Sequence, residues 1–447
     1  MTELKKALGP VMLWGLGVGY VISGMYFGWN LGLPLGGTWG MLVATIVITV
    51  LYATFIFSYT ELSCAIPKAG GAFDFGMRAF GPLGGTLLGA AQIVEFVFAP
   101  PAIAMAIGAY FTIFFPAVPK QAIAIAAYVL FTALNIWGVK QAAVFELGVT
   151  IAAVGELLLF MGVTAPHFRA ANLAIDGLPH GWSGVFACLP FAVWFYLGIE
   201  GVANAAEEAR NPRRDVAIGF STAMLTLIVL ALGVFFTSVG VAGWPAVVYS
   251  TPGAAPSDSP LPLALGRIVG GQGALYHLLV TIGLLGLVAS FHGIVLAAGR
   301  AGLELGRTGY APRFLGLVNA RTGTPAVALL ANAAVGIVCI LSSRTDDLIV
   351  LSVFGALTLY ALSMAALFAL RRREPDLPRP FRAVAYPLFP AVALGLSVVS
   401  LAAMIFYNLK VAVVFGSIIA TAVGWRAALA SKRSTHPPAR PPGAPGP

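Results

Sequence analysis

The sequence predicts an all-α membrane protein of twelve transmembrane helices, and three observations carry that expectation. Of 447 residues, 59% are hydrophobic and 10% charged, against roughly 25% charged in a soluble domain. Apolar runs of about 20 residues, enough to cross a hydrocarbon core of roughly 30 Å, recur along almost the whole length. The basic residues segregate: with the amino terminus inside, Lys120, Arg169, Arg267, Arg344 and Lys410 fall outside and the rest of the 26 Lys and Arg fall inside, as the positive-inside rule asks. Topology thus accounts for the net charge of +9, and no nucleic-acid partner is needed.

Taken in order, span 1 covers 11–35. It follows Lys5 and Lys6 as a signal peptide would, but it runs too far and has no small-residue cleavage site. Spans 2 to 5 cover 40–66, 82–115, 118–138 and 142–164; span 6 covers 184–206 and carries "WFYLGIEGV". Spans 7 to 12 cover 215–241, 274–306, 325–342, 347–370, 384–406 and 408–429. Residues 431–447, "SKRSTHPPARPPGAPGP", are rich in Pro and basic residues and are expected to be a disordered cytoplasmic tail. Cys64, Cys188 and Cys339 lie on different spans, without metal-ligand spacing or a disulfide framework.

Spans 1 and 6 both break their own helix. Span 1 contains "VISGMYFGWNLGLPLGG" and span 6 sets Gly198, Glu200 and Gly201 within four residues. Irregular backbone at membrane depth survives only where protein or a water-filled cavity satisfies it, so a matched pair of breaks points to a central binding site between two inverted repeats. The alternative is that glycine merely lets helices pack closely. The repeats are expected at 1–165 and 180–371, with two peripheral helices in 384–430. Residues 66–89 and 299–325, rich in Gly, Pro and short amphipathic pieces, are expected to lie along the inner surface as gating elements.

Three separated motifs carry a family resemblance. Gly198 and Glu200 with "AAEEARNPRRD", then "IPKAGGAF", then "GRTGYAPRFL … RTGTP" resemble signatures of the amino acid, polyamine and organocation permease superfamily, over about residues 10 to 430. Within it, "YFGWNLGL", "IVEFVFAPPA" and "ASFHGIVLAAGR" are most similar to ethanolamine permeases. The resemblance implies a LeuT-like fold of ten core helices in two inverted five-helix repeats plus two peripheral helices, working by alternating access. It implies a site between the unwound parts of spans 1 and 6.

Glu95, Glu156 and Glu200 lie well inside apolar runs with no Lys or Arg beside them. An ionised group near the bilayer centre costs at least about 2.5–3.5 kcal/mol, so these acids are expected to be protonated or to meet an outside cation. Glu95, on a small-residue face with Ala91 and Ala99, is the candidate ammonium partner, or else it ties two helices together. Glu200 either holds unwound backbone or senses protons and substrate. The resemblance implies proton coupling at Glu156. His292 either titrates near neutral pH or serves as a packing residue.

Tyr26, Phe27, Trp29, Phe96, Trp194, Phe195, Tyr196 and Phe291 fall in the segments expected at the centre, where a ring face attracts an ammonium by about 0.5–2 kcal/mol. The bland reading is that rings are common in spans. Trp194 matches the family's aromatic gate. Amino acid carriers of the family read "G-S-G-I-F" at the span 1 break; here Ile22, Ser23, Gly24, Met25 and Tyr26 stand there. Losing the first glycine disfavours capture of a substrate carboxylate by bare backbone N–H groups, and leaves Ser23 or Tyr26 to meet a hydroxyl. Ser290 alone, beside Phe291 and His292, disfavours a sodium site.

The leading expectation is therefore a secondary transporter of a small cationic amine, ethanolamine first, using protons or exchange, in a bacterial inner membrane with both termini cytoplasmic. The alternative is a cationic or neutral amino acid permease, and a remote one is a non-transporting nutrient sensor. No cofactor or metal is expected, and no nucleophile elbow or phosphate-binding loop suggests an enzyme.

Overall fold

In hydrocarbon every backbone N–H and C=O must be satisfied within the chain, and for a run of Leu, Val, Ile and Ala the helix does this segment by segment. The computed structural model describes residues 8–68, 70–137, 142–342 and 344–435. Its helices are α1 (Pro10–Val21), α2 (Ser23–Tyr26), α3 (Leu33–Ala65), α4 (Ala72–Thr112), α5 (Lys120–Trp137), α6 (Ala142–Thr164), α7 (Gly181–Ala187), α8 (Leu189–Val193), α9 (Pro212–Ala242), α10 (Trp244–Val248), α11 (Pro260–Val269), α12 (Ala274–Thr308), α13 (Ala326–Ser342), α14 (Thr345–Arg373), α15 (Leu388–Tyr407) and α16 (Leu409–Thr435). No β-strand occurs among the described residues, and the one bridge pairs Leu8 with Ala209.

Nine helices among the described residues are long and apolar enough to cross a membrane, and Pro10–Tyr26, Pro260–Val269 and Ala326–Ser342 are shorter apolar stretches. The protein is an integral membrane protein. Three expected boundaries are corrected. Span 1 carries its expected break but ends short of 35: it stops at Tyr26, a 3₁₀ turn covers Trp29–Gly32, and α3 already starts at Leu33 with a kink at Gly37, whose φ is 63°. The break expected in span 6 is also present: that stretch consists of α7, α8 and a 3₁₀ segment at Ile199–Glu208. Helix α11 lies in a stretch read as loop. The expected tail begins later than 431, because α16 continues to Thr435. The remainder of that tail, 436–447, lies outside the described residues, as do Lys5, Lys6 and Lys140.

The two expected inner-surface segments contain short helical pieces. Residues Ala72 to Phe80 precede a break at Gly81 (φ 70°) within α4, and a 3₁₀ turn at Arg313–Gly316 packs on α12, where Gly306 and Gly316 touch. Buried at the centre are α4 and α14, which pack along each other; Gly355 of α14 has no room for a Cβ against the Glu95 amide of α4. Helix α16 packs on α4, α14 and α15, and its most apolar stretch buries none of its residues inside the protein. At one end Glu61 of α3 collects Arg371 and Arg379, and accepts from the Ala383 amide at 2.7 Å. At the other, Lys120 meets Asp258 at 2.8 Å, and Asn30 donates to the Ser257 carbonyl at 2.8 Å.

Candidate functional site

The two interrupted stretches lie against each other. After α1, Ile22 and α2 lead to Phe27, fully extended, and Gly28 at φ 90°. After α8 the chain turns through Trp194–Gly198, with Gly198 at φ 96°, a conformation that only glycine adopts without strain. A Cβ on Gly24 would run into the Trp194 carbonyl oxygen, and one on Gly28 into the Trp194 indole. Glycine at 24 and 28 is thus required by close approach. Rings fill what remains: Phe27 meets Trp194 edge-on at 5.4 Å, and Trp29 stacks on Phe195 at 5.6 Å.

Against this junction the carboxyl groups of Glu95 and Glu200 face each other, with the Gly198 amide beside Glu95. Both side chains are buried, at 0% and 2% exposure. Tyr360 of α14 donates to Glu200 Oε2 at 2.8 Å and sits 3.0 Å from the Tyr52 hydroxyl of α3. Neither oxygen of Glu95, nor Oε1 of Glu200, has a hydrogen-bonding partner among the described residues. Two carboxylates would offer acceptors only, so the pair calls for a hydrogen-bond donor between them. Sequence reasoning singled out Glu95, Glu200 and Gly198 and missed Tyr52 and Tyr360. The available signal was a tyrosine in mid-span, whose buried hydroxyl needs a partner. Tyr196 lies nearby, its hydroxyl 2.7 Å from Thr49 and its ring 5.1 Å from Tyr52.

The other expected residues separate from this centre. Tyr26 donates to Glu156 Oε2 at 2.7 Å, and its own carbonyl accepts from Tyr110 at 3.1 Å; Glu156 is thereby tied to the span 1 break. Ser23 and Ser290 share a hydrogen bond of 2.8 Å, and Ser290 also donates to the Tyr20 carbonyl at 2.7 Å. These two hydroxyls brace α1 against α12. Phe291, expected at the pocket, is fully buried edge-on against Tyr128 at 4.8 Å and Phe131 at 5.9 Å, both on α5. One step along a helix turns a side chain by about 100°, and that step separates Ser290 from Phe291.

His292 forms a second buried polar group. Its Nδ1 lies 3.8 Å from Glu146 Oε2, longer than a hydrogen bond. Together they line a cavity of about 50 Å³ with Tyr20, Glu208 and Arg300, the last two paired at 3.2 Å. Glu146, near the start of a span, was not singled out from sequence. Among the described residues no group of three or more His, Cys, Asp or Glu could hold a metal ion.

Known proteins resemble this chain along most of its length. An uncharacterised transporter of Rhizobium meliloti (strain 1021) is 28% identical over 87% of this chain and 83% of its own. The branched-chain amino acid permease BcaP of Bacillus subtilis (strain 168) is 24% identical over 88% of this chain and 86% of its own. A methylthioribose transporter of the same bacterium is 24% identical over 88% and 87%. The family described as amino acid permease matches residues 8–428, nearly all of the described chain, so this membrane protein, with its paired helix breaks, belongs to the amino acid permease family and is a transporter of the amino acid, polyamine and organocation superfamily.

Proposed function

We propose that the chain carries a small cationic amine, ethanolamine first, by alternating access, coupled to protons or to exchange. The observation that supports this is the buried carboxyl pair. With one shared proton, Glu95 and Glu200 keep one negative charge in a region where an unpaired charge is expensive. An incoming ammonium supplies hydrogen-bond donors and the missing positive charge together. Gly198 lies beside this pair, Tyr196 packs on Tyr52, Gly24 brings the span 1 break up to Trp194, and Ser23 braces that break against α12. Tyr26 with Glu156, and His292 with Glu146, form two separate polar posts suited to moving protons between conformations. In this reading residues 1–165 and 180–371 are inverted repeats, 384–430 is peripheral, and both termini face the cytoplasm of a bacterial inner membrane.

A second reading is a cationic or neutral amino acid permease, which the similarity to the B. subtilis branched-chain amino acid permease favours. Proteoliposome uptake separates the two. Saturable accumulation of labelled ethanolamine, competed by small amines and not by their carboxylated parents, is the expected outcome. Uptake of leucine or arginine without saturable ethanolamine uptake overturns the amine assignment.

A further inference from the structure

A groove of about 680 Å³ separates α16 from α4, α12 and the turn at 310–315, with walls that include Ile93, Leu305, Tyr310, Ile418 and Trp425. Its volume lies within the roughly 300–1,000 Å³ common for small-ligand sites, yet it has little to offer a polar solute. The hydroxyls of Thr86, Ser417 and Thr421 all bond back to carbonyls of their own helices. The most apolar stretch of α16 buries none of its residues inside the protein, so the groove opens towards the hydrocarbon. Arg426 stands at one end, following Trp425. Its guanidinium lies 5.0 Å from the centre of the Tyr310 ring, and its Nε is buried without an acceptor among the described residues. Arg313, exposed, sits in the same turn between the lining residues Pro312 and Leu315.

We propose that this groove binds an anionic phospholipid, with an acyl chain along the α4–α16 wall and the phosphate on Arg426. The apolar walls call for hydrocarbon. The stranded Nε–H and the neighbouring Arg313 call for an oxyanion at the depth where Trp and Tyr mark the membrane interface. Basic pockets between spans recognise anionic headgroups for the same reason.

The test uses the full chain in lipid nanodiscs and reads the fluorescence of Trp425, taken as wild type minus Trp425→Phe, against brominated phosphatidylglycerol or brominated phosphatidylcholine. The expected result is an about fivefold higher relative association constant for phosphatidylglycerol, the effect of one basic contact. Arg426→Gln should reduce that preference to near unity while Arg426→Lys keeps part of it. Equal constants for the two lipids in wild type overturn the proposal in favour of a general lipid shell. So does a Trp425 quenched by neither, which is the outcome if a second copy of the chain covers the groove.

Discussion

Glu95 is a carboxyl group answered mainly by another carboxyl group. Its neighbours are Glu200 and the Gly198 amide, and Glu200 is in turn held by Tyr360. Glu95→Gln keeps the shape and can still donate to Glu200, so folding should survive, judged by unchanged monodisperse elution in detergent. Loss of one charged hydrogen bond costs about 1.5–3 kcal/mol, so affinity for an amine should fall roughly ten- to hundredfold. Ligand-induced thermal stabilisation reads this directly, and an unaltered affinity would remove Glu95 from the site. Both acids were legible in the sequence because an acid in an apolar run demands a reason. Tyr52 and Tyr360 were not, since an isolated tyrosine in a span reads as ordinary packing until the helix opposite is known. The packing of Phe291 against α5 was not legible for a related reason: "ASFHG" gives its neighbours along the chain but not which way the helix is turned.

At the scale of elements, the two broken stretches are held together by the absence of side chains. Gly24 meets the Trp194 carbonyl and Gly28 the Trp194 ring, while Phe27, Trp29 and Phe195 pack around the contact. Gly24→Ala should push the stretches apart, costing about 1–3 kcal/mol as overpacking does, with a lower melting temperature in detergent and loss of uptake. Wild-type transport and melting in that variant would show that the contact is dispensable. The breaks themselves were legible from clustered glycines, and most other helices start and stop within a few residues of their apolar runs. Two features were not. The Gly37 kink joins two helical stretches within α3, where the Trp39 amide turns to the Gly177 carbonyl at 2.8 Å, and the apolar run gives no sign of that join. Helix α11 has 10 residues, too few to stand out as a span between Pro- and Ser-rich neighbours.

Across the whole molecule, buried charge clusters at one end fasten distant parts of the chain. Glu61 of α3, 1% exposed, receives Arg371 from the end of α14, Arg379 from the following loop and the Ala383 amide. Removing the acid strands two cations, and breaking a buried pair from one side costs about 3–5 kcal/mol. Glu61→Ala should therefore lower the melting temperature clearly, whereas a melt matching wild type would mean the arginines find other partners. Composition gave no hint of this cluster, because Glu61 and its arginines are some 310 positions apart in the chain. At the same end, Leu8 donates to the Glu208 carbonyl at 3.0 Å and accepts from the Arg210 amide at 2.9 Å, joining the approach to α1 to the exit from the second break. This stitch is made of backbone alone, so ordinary side-chain replacements at 8 or 210 leave its two hydrogen bonds in place and an alanine scan passes over it; proline, which carries no amide hydrogen, is the residue that unpicks it and frees the approach to α1 from the exit of the second break.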